Sequence, residues 1–392
     1  MSAVLKVLND KKEILEGAVE VIQQGVEALA NDVGSISPIF QIAGPLLKLA
    51  LDNVENGEER YIKDQLQTLQ TKLDVISDKI DAISRELEKS QMNITCFEME
   101  KVIRNQYRKF SDIIQAKPQY KETKKEFFLE YFEDTDGDKS LHDIYDAIMG
   151  NSVSGKSILQ TALTTEQYDR RVLEEFIARV KRLFCMGVFV VVGNAVLIGK
   201  PKEDELVETW ENNFNAMEKK MKAAIDECID AFPDLAKAGI EKLITEQSCK
   251  DNPELAKQIH TFLKDKFYWL SWSIRVYDNQ SSGYLTSLLR KDDYHHIMGK
   301  NYFQFLKYNT NVIVSYSSNP KPVDKFKIRQ LMESQDRKQS ATSIGNHVRD
   351  NMPGYLVHSI GRYKGLWGEW NFPDGCHYWE NYRNITLIVH SE

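Results

Sequence analysis

Cysteine is scarce and scattered in this sequence, which excludes the composition of a small disulfide-stapled scaffold. The chain has five cysteines among 392 residues, and none forms the Cys-x-x-Cys spacing of zinc and redox sites. An odd and dispersed set fits a reducing compartment better than a disulfide framework. The five are Cys96, Cys185, Cys228, Cys249 and Cys376.

A secretory leader is the second feature that the sequence lacks. Residues 1–12 carry Lys6, Asp10, Lys11 and Lys12, which interrupt any apolar core of a signal peptide. We therefore expect a cytoplasmic protein, although release by a non-classical route would leave no mark in the sequence.

The usual catalytic signatures are also missing. The sequence contains no Gly-x-Ser-x-Gly, His-Glu-x-x-His or Gly-x-Gly-x-x-Gly. Residues 150–157 do match the phosphate-binding pattern that ends in Gly155, Lys156 and Ser157. That pattern needs a buried strand before it, whereas Leu141 and Ile148 belong to a segment with helical spacing. We interpret it as a loop between helices and predict that ATP does not bind Lys156.

Candidate metal ligands are few and badly spaced. Residues 134–138 hint at a calcium loop, but Tyr145 stands where the bidentate glutamate belongs. His295 and His296 are adjacent and should point apart on a strand or helix. Cys376 and His377 are neighbours, which seldom form a productive nucleophile and base. The sequence therefore predicts no catalytic residue, no cofactor and no metal site.

The charge is unevenly distributed along the chain. The net charge is -7, made of -11 over residues 1–264 and +4 over residues 265–392. An acidic helical part joined to a weakly basic end argues against nucleic acid as a partner.

The strongest periodicity is an unbroken apolar seam in the first part of the chain. Its members repeat with alternating steps of four and three, which predicts one helix over residues 54–90 with a coiled-coil surface. The partner helix could lie in the same chain, in a second copy or in another protein, so a homo-oligomer is open. The seam consists of Ile62, Leu66, Leu69, Leu73, Ile76, Ile80, Ile83 and Leu87.

An almost uncharged block at residues 183–199 follows a helix that we expect to begin near Thr165. The block is 17 residues long, has Asn194 as its only strongly polar residue, and should end before Pro201. Seventeen residues are the lower limit for crossing a bilayer. The block is either a core helix enclosed by its neighbours or, in addition, a latent membrane element. The candidate membrane residues are Leu183, Phe184, Val188, Phe189, Val191, Val192, Val196, Leu197 and Ile198.

The amino-acid composition changes near residue 265. The last 128 residues hold 21 of the 40 aromatic residues, including five of the six tryptophans. Residues 273–277, 312–317, 355–360 and 384–390 are predicted strands, and residues 326–332 a helix. We therefore expect a mainly α fold, with a helical domain over residues 1–264 and a smaller α+β domain over 265–392. Trp367, Trp370 and Trp379 would bind sugar or lipid headgroups, or else form the core of that domain.

Several segments together resemble the rapunzel family of fish proteins. They are residues 51–55, 73–77, 104–109, 145–150 and 170–184, and the resemblance extends over about residues 40–235. The family offers no catalytic residues to carry over. The helical part is also similar to the toxin-like helical domains of box-jellyfish proteins, in which a hydrophobic hairpin is held inside a bundle.

Two functions fit these observations, and a third hypothesis, an ATP-dependent enzyme using Lys156, is disfavoured by the helical spacing before the loop. The first is a non-enzymatic, pore-toxin-like helical bundle with a latent membrane element and a C-terminal recognition domain. The second is an intracellular scaffold whose seam at residues 62–87 binds a partner helix. Lipid is the partner in the first case and protein in the second.

Overall fold

The structure is a computed structural model that describes most of the chain after residue 90. The described residues are Asp64, Thr68, 91–151, 155–199, 203–246, 251–279, 295–307, 310–335, 339–361, 363–383 and 385–392. Asp64 and Thr68 are helical, and the Thr68 hydroxyl donates to the Asp64 carbonyl at 2.8 Å. The rest of the predicted seam helix lies outside the described residues.

The chain divides into two compact units, Met1–Asp230 and Ala231–Glu392. The described part of the first unit is helical. Its elements are α1 (Gln91–Gln115), α2 (Pro118–Asp134), α3 (Lys139–Met149), α4 (Ile158–Thr165), α5 (Arg170–Leu197) and the first part of α6 (Glu203–Glu246).

Local chemistry explains where these helices begin and end. Pro118 occupies the first turn of α2, where a missing N–H costs nothing. Gly150 ends α3 with φ of 77°, a left-handed conformation that glycine adopts without strain. The helix expected to begin near Thr165 in fact begins at Arg170. Asp169 caps it by accepting hydrogen bonds from the backbone N–H groups of Arg171 and Val172.

The second unit combines helices with two antiparallel sheets. It contains the end of α6, α7 (Asn252–Lys266), α8 (Lys325–Glu333) and α9 (Ala341–Asn351). Its strands are β1 (Ser271–Asn279), β2 (His295–Met298), β3 (Tyr302–Lys307), β4 (Thr310–Ser317), β5 (Tyr355–Gly361), β6 (Tyr363–Trp370), β7 (His377–Tyr382) and β8 (Ile385–Ser391). The mainly α fold with a smaller α+β C-terminal part is therefore confirmed.

Contacts place the division between the units earlier than the change in composition does. The last part of α6 and all of α7 share an apolar core with β1 and β4, through residues such as Ala236, Ile259 and Trp272. The sequence assigned these helices to the helical domain. An amphipathic helix has the same apolar spacing whether it packs against a sheet or against other helices.

The strands form two four-stranded sheets, ordered β3-β4-β1-β6 and β2-β5-β8-β7. The four strands predicted from the sequence are β1, β4, β5 and β8, which are the central pairs of the two sheets. Because central strands are covered on both faces, their sequences are rich in apolar and β-branched residues and can be recognised as strands. The four strands that the sequence did not predict lie at the sheet edges.

The two sheets face each other, and helices cover their outer faces. Tyr277 and Ile313 of the first sheet pack against Ile360 and Ile388 of the second. On the far side of the second sheet, α8 and α9 share a core with β5 and β8 that includes Ile344. The second unit is thus a four-layer arrangement of helix, sheet, sheet and helix.

Candidate functional site

The apolar half of α5 is enclosed by other helices of the first unit. Six of the nine candidate membrane residues are at most 6% exposed. Val196 and Leu197 are half-buried, and Ile198 lies just beyond the helix end and is 45% exposed. The six are Leu183, Phe184, Val188, Phe189, Val191 and Val192.

Aromatic side chains of α1 and α6 pack against this half of α5. The ring of Phe184 lies 5.5 Å from the ring of Trp210 and 5.5 Å from that of Phe214, measured between centroids. Such contacts contribute specific geometry as well as buried apolar area. They fix α5 in one position against α6.

Two glycines let neighbouring helices approach α5 closely. A Cβ added at Gly187 would lie 2.7 Å from Leu141 Cδ1 of α3. A Cβ added at Gly193 would overlap the ring of Phe110 of α1. Real Cβ atoms do not come this close, so a larger residue at either position would force the Leu141 or Phe110 side chain to shift.

The charged half of α5 is largely buried as well, and its basic residues pair with carboxylates of neighbouring helices. Glu100 of α1, 3% exposed, accepts hydrogen bonds from Arg179 Nε at 2.7 Å and Arg182 Nη2 at 2.8 Å. Lys181 Nζ lies 2.8 Å from Glu218 Oε1 of α6. A buried charge is tolerated only when it is paired and hydrogen-bonded. These pairs therefore hold α5 against α1 and α6.

Sequence reasoning missed this ion-pair cluster. Arg179 and Arg182 are three residues apart and share one helix face, which could have suggested a common partner. Glu100 stands 79 residues before Arg179, and no local spacing connects them. Only the packing of α1 against α5 brings the three together.

By length and composition, α5 is able to cross a membrane. It has 28 residues with a mean hydropathy of 1.8 in its most apolar window, 83% of which is buried. The core helix of a water-soluble protein meets the same criteria, so length and composition alone do not distinguish a core helix from a membrane-spanning one. In α5 an apolar half follows a charged half whose basic residues pair with Glu100 of α1 and Glu218 of α6.

The phosphate-loop pattern falls between two helices. Helix α3 ends at Met149 and α4 begins at Ile158, as the helical spacing predicts. Ser157 is the N-cap of α4, and its hydroxyl donates to the Ile148 carbonyl at 2.6 Å. A hydroxyl held in this way is not directed at a magnesium ion. Lys156 is exposed.

The candidate ligand-binding aromatics lie in the second unit, where Trp367 and Trp370 are exposed and Trp379 is half-buried. Trp367 and Trp370 of β6 are each 45% exposed. Trp367 Nε1 donates to Glu369 Oε1 at 3.0 Å, which fixes the indole at the surface. Trp370 stacks on Trp379, with ring centroids 5.6 Å apart. A shallow depression of 570 Å³ is lined by Asp251, Pro253, Glu254, Lys257, Trp367 and Glu369.

The metal candidates are not brought together. His295 and His296 lie in β2, where adjacent side chains point to opposite faces. Of residues 134–138, Asp134 ends α2 and the other four form a turn in which Asp136 and Gly137 have positive φ angles. Within the part of the chain that the structure describes, no group of three or more His, Cys, Asp or Glu residues is placed to hold a metal ion.

These features define a class, a helical bundle built around a largely concealed apolar helix and followed by an α+β unit. Residues 54–250 match the cephalotoxin-like middle helical domain, and the chain belongs to that family. It is similar to Protein rapunzel of Danio rerio, with 29% identity over 224 residues, which is 57% of this chain and 98% of that protein. No solved structure matches the chain. The protein is thus a toxin-like helical protein related to rapunzel, and neither match indicates catalysis.

Proposed function

We propose that this protein is a non-enzymatic, pore-toxin-like bundle in which α5 is a latent membrane element. The observation that carries the proposal is the burial of one long apolar helix, whose charged half forms ion pairs with α1 and α6. Release of α5 would expose the apolar surface of residues 183–197, and soluble proteins rarely leave so large a patch uncovered. A lipid bilayer is the environment in which that surface is stable.

The second unit supplies recognition in this proposal. Trp367 and Trp370 present large, partly exposed rings on an edge strand, next to a shallow depression with carboxylates and Lys257. Aromatic rings beside polar groups suit sugars and lipid headgroups, which have one apolar and one polar face. Binding of the second unit to such a surface would bring α5 near a membrane.

The test locks α5 to α3 without adding charge. Leu141 Cγ lies 3.4 Å from the position that a Cβ at Gly187 would take, which is close to the reach of a disulfide. We expect purified wild type to release dye from liposomes, at neutral or acidic pH. The double variant Leu141→Cys with Gly187→Cys should not release dye until a reductant is added.

The two single variants are the matched controls, since each carries one of the packing changes without the crosslink. They should release dye with and without reductant. If wild type neither binds nor permeabilises liposomes at any pH or lipid composition, α5 is simply core. If the oxidised double variant leaks as well as wild type, the membrane element lies elsewhere.

The alternative is a scaffold that binds a partner helix. It rests on the regular 4-3 repeat between Ile62 and Leu87, which is typical of coiled coils. Replacing Leu73 and Ile76 by lysine should then abolish self-association or partner capture, measured by analytical ultracentrifugation, while leaving liposome leakage unchanged.

A further inference from the structure

The layer between the two sheets of the second unit is unusually polar for a sheet-on-sheet core. Ser273, Arg275, Ser315, His358 and His390 all point into it and are fully buried. Cross-sheet bonds join Ser315 Oγ to His390 Nε2 at 2.6 Å and Ser273 Oγ to His377 Nε2 at 2.9 Å. Such layers are normally filled by apolar side chains.

Arg275 is the only charged residue among these groups at neutral pH. Its Nη1 donates to Ser315 Oγ at 2.8 Å and to Ser273 Oγ at 2.9 Å. Within the described residues, no carboxylate forms an ion pair with it, and burial lowers its pKa only to about 9. The guanidinium therefore keeps its positive charge at neutral pH.

The nearby histidines are uncharged at neutral pH and do not balance the charge of Arg275. Burial lowers the pKa of His377 to about 2 and that of His390 to about 3, and the pKa of His358 also falls well below its ordinary value. All three are neutral at pH 7. An isolated buried cation costs far more than a buried neutral group, so the layer requires a compensating negative charge.

Several donors in this layer have no protein acceptor. Arg275 Nε and Nη2 carry three of the five guanidinium N–H groups, and neither atom has a partner among the described residues. The Tyr277 hydroxyl and both ring nitrogens of His358 are also unpartnered. More than nine-tenths of such buried atoms in proteins are hydrogen-bonded. Because a neutral imidazole has one N–H, four of these atoms are donors, and four unpartnered donors beside one cation point to an additional acceptor.

We propose that the second unit binds a small monovalent anion of the size of chloride at Arg275, between the two sheets. Arg275 supplies the charge and three unpaired N–H groups, while Tyr277 and His358 supply one further donor each. Facing sheets lie about 10 Å apart, so the ion would take its place within the side-chain layer between them. A divalent anion would lose about four times the hydration energy of a monovalent one, since that energy scales with the square of the charge.

The test measures anion-dependent stability of the full-length protein. The protein is unfolded and refolded in chloride-free methanesulfonate buffer, because an enclosed ion would exchange slowly from the native state. Chloride or bromide is then added at constant ionic strength. We expect the thermal midpoint of the second unit to rise with the logarithm of halide concentration, and to rise much less with sulfate. Tryptophan fluorescence reports on that unit, which holds five of the six tryptophans.

Two variants and one control locate the effect. Arg275→Met should remove the halide response, and Tyr277→Phe should raise the half-saturating concentration about tenfold or more, the value of one hydrogen bond to a charged group. The control Arg329→Met removes an exposed arginine of the same unit and should leave the response unchanged. If Arg275→Met does not fold, anomalous scattering from bromide bound to wild-type crystals decides the question at Arg275.

Three results would overturn the proposal. The first is a wild-type midpoint that is the same in chloride and in methanesulfonate. The second is a halide response that survives in a folded Arg275→Met protein. The third is a crystal in bromide with no anomalous peak at Arg275, in which case water molecules satisfy these donors.

Discussion

The ion-pair cluster that holds α5 in the bundle can be tested by the substitution Glu100→Gln. Glutamine has nearly the same shape, but it carries no charge and one fewer oxygen. Arg179 and Arg182, which now bind Glu100 at 2.7 and 2.8 Å, would be left as buried cations without that counter-charge. Arg104, whose side chain is 35% exposed, would lose little because water solvates it.

Removing one partner of a buried ion pair costs roughly 3–5 kcal/mol of unfolding free energy. We expect Glu100→Gln to lose stability in this range. Urea unfolding followed by far-ultraviolet circular dichroism measures it, because helices dominate that signal. The denaturant slope should stay unchanged, since the substitution alters little exposed surface.

The control is Glu98→Gln on the same helix, where the glutamate is exposed. This variant should change stability by less than about 0.5 kcal/mol. A third variant replaces Glu100, Arg179 and Arg182 together by apolar residues of similar volume and should recover most of the lost stability. If Glu100→Gln costs less than about 1 kcal/mol, the two arginines are solvated in the native state and the reasoning fails.

Three further predictions concern packing, pH and nucleotide binding. Gly193→Ala should destabilise the first unit by about 1–3 kcal/mol in urea unfolding, because the added methyl group overlaps the ring of Phe110. The second unit should lose stability below about pH 6.5, because unfolding exposes His377 and His390, which then bind protons that the folded state excludes. The loss should reach about 4 kcal/mol for these two groups between pH 7 and pH 5, measured by tryptophan fluorescence in urea. Isothermal titration calorimetry with magnesium-ATP should detect no binding that depends on Lys156, so wild type and Lys156→Ala should give the same result.

Each of these predictions has a control. Asn194→Ala changes the neighbouring position on α5 without the overlap and should cost less than Gly193→Ala. His142→Gln removes an exposed histidine and should leave the acid dependence of the second unit as it is. Stability of the second unit that is constant between pH 7 and pH 5 would contradict the burial of its histidines. Tight ATP binding lost in Lys156→Ala would revive an enzymatic function.

The sign of the pH effect follows from the direction of the pKa shifts. A histidine whose pKa is lowered by burial is neutral in the folded state throughout the range from pH 7 to pH 4. In the unfolded chain it titrates near pH 6.5. The unfolded state therefore binds more protons below that pH, and stability falls as pH falls.

The local sequence by itself determined the helices and strands that have a regular apolar pattern. Helix α5 ends at Leu197, before Pro201, and the predicted helix at residues 326–332 is α8. The strands predicted from residues 273–277, 312–317, 355–360 and 384–390 are the central strands of the two sheets. These segments are buried over most of their surface, so their apolar composition reflects that burial directly.

Only the tertiary structure decided which distant groups meet. The edge strands β2, β3, β6 and β7 are partly exposed along much of their length, and their mixed composition carries no clear period. The pairing of Glu100 with Arg179 and the enclosure of Arg275 between two sheets also depend on contacts far apart in the chain. Secondary structure depends largely on residues close together along the chain. Whether a charge is buried and paired depends on residues that are close only in space, and a local sequence pattern does not include them.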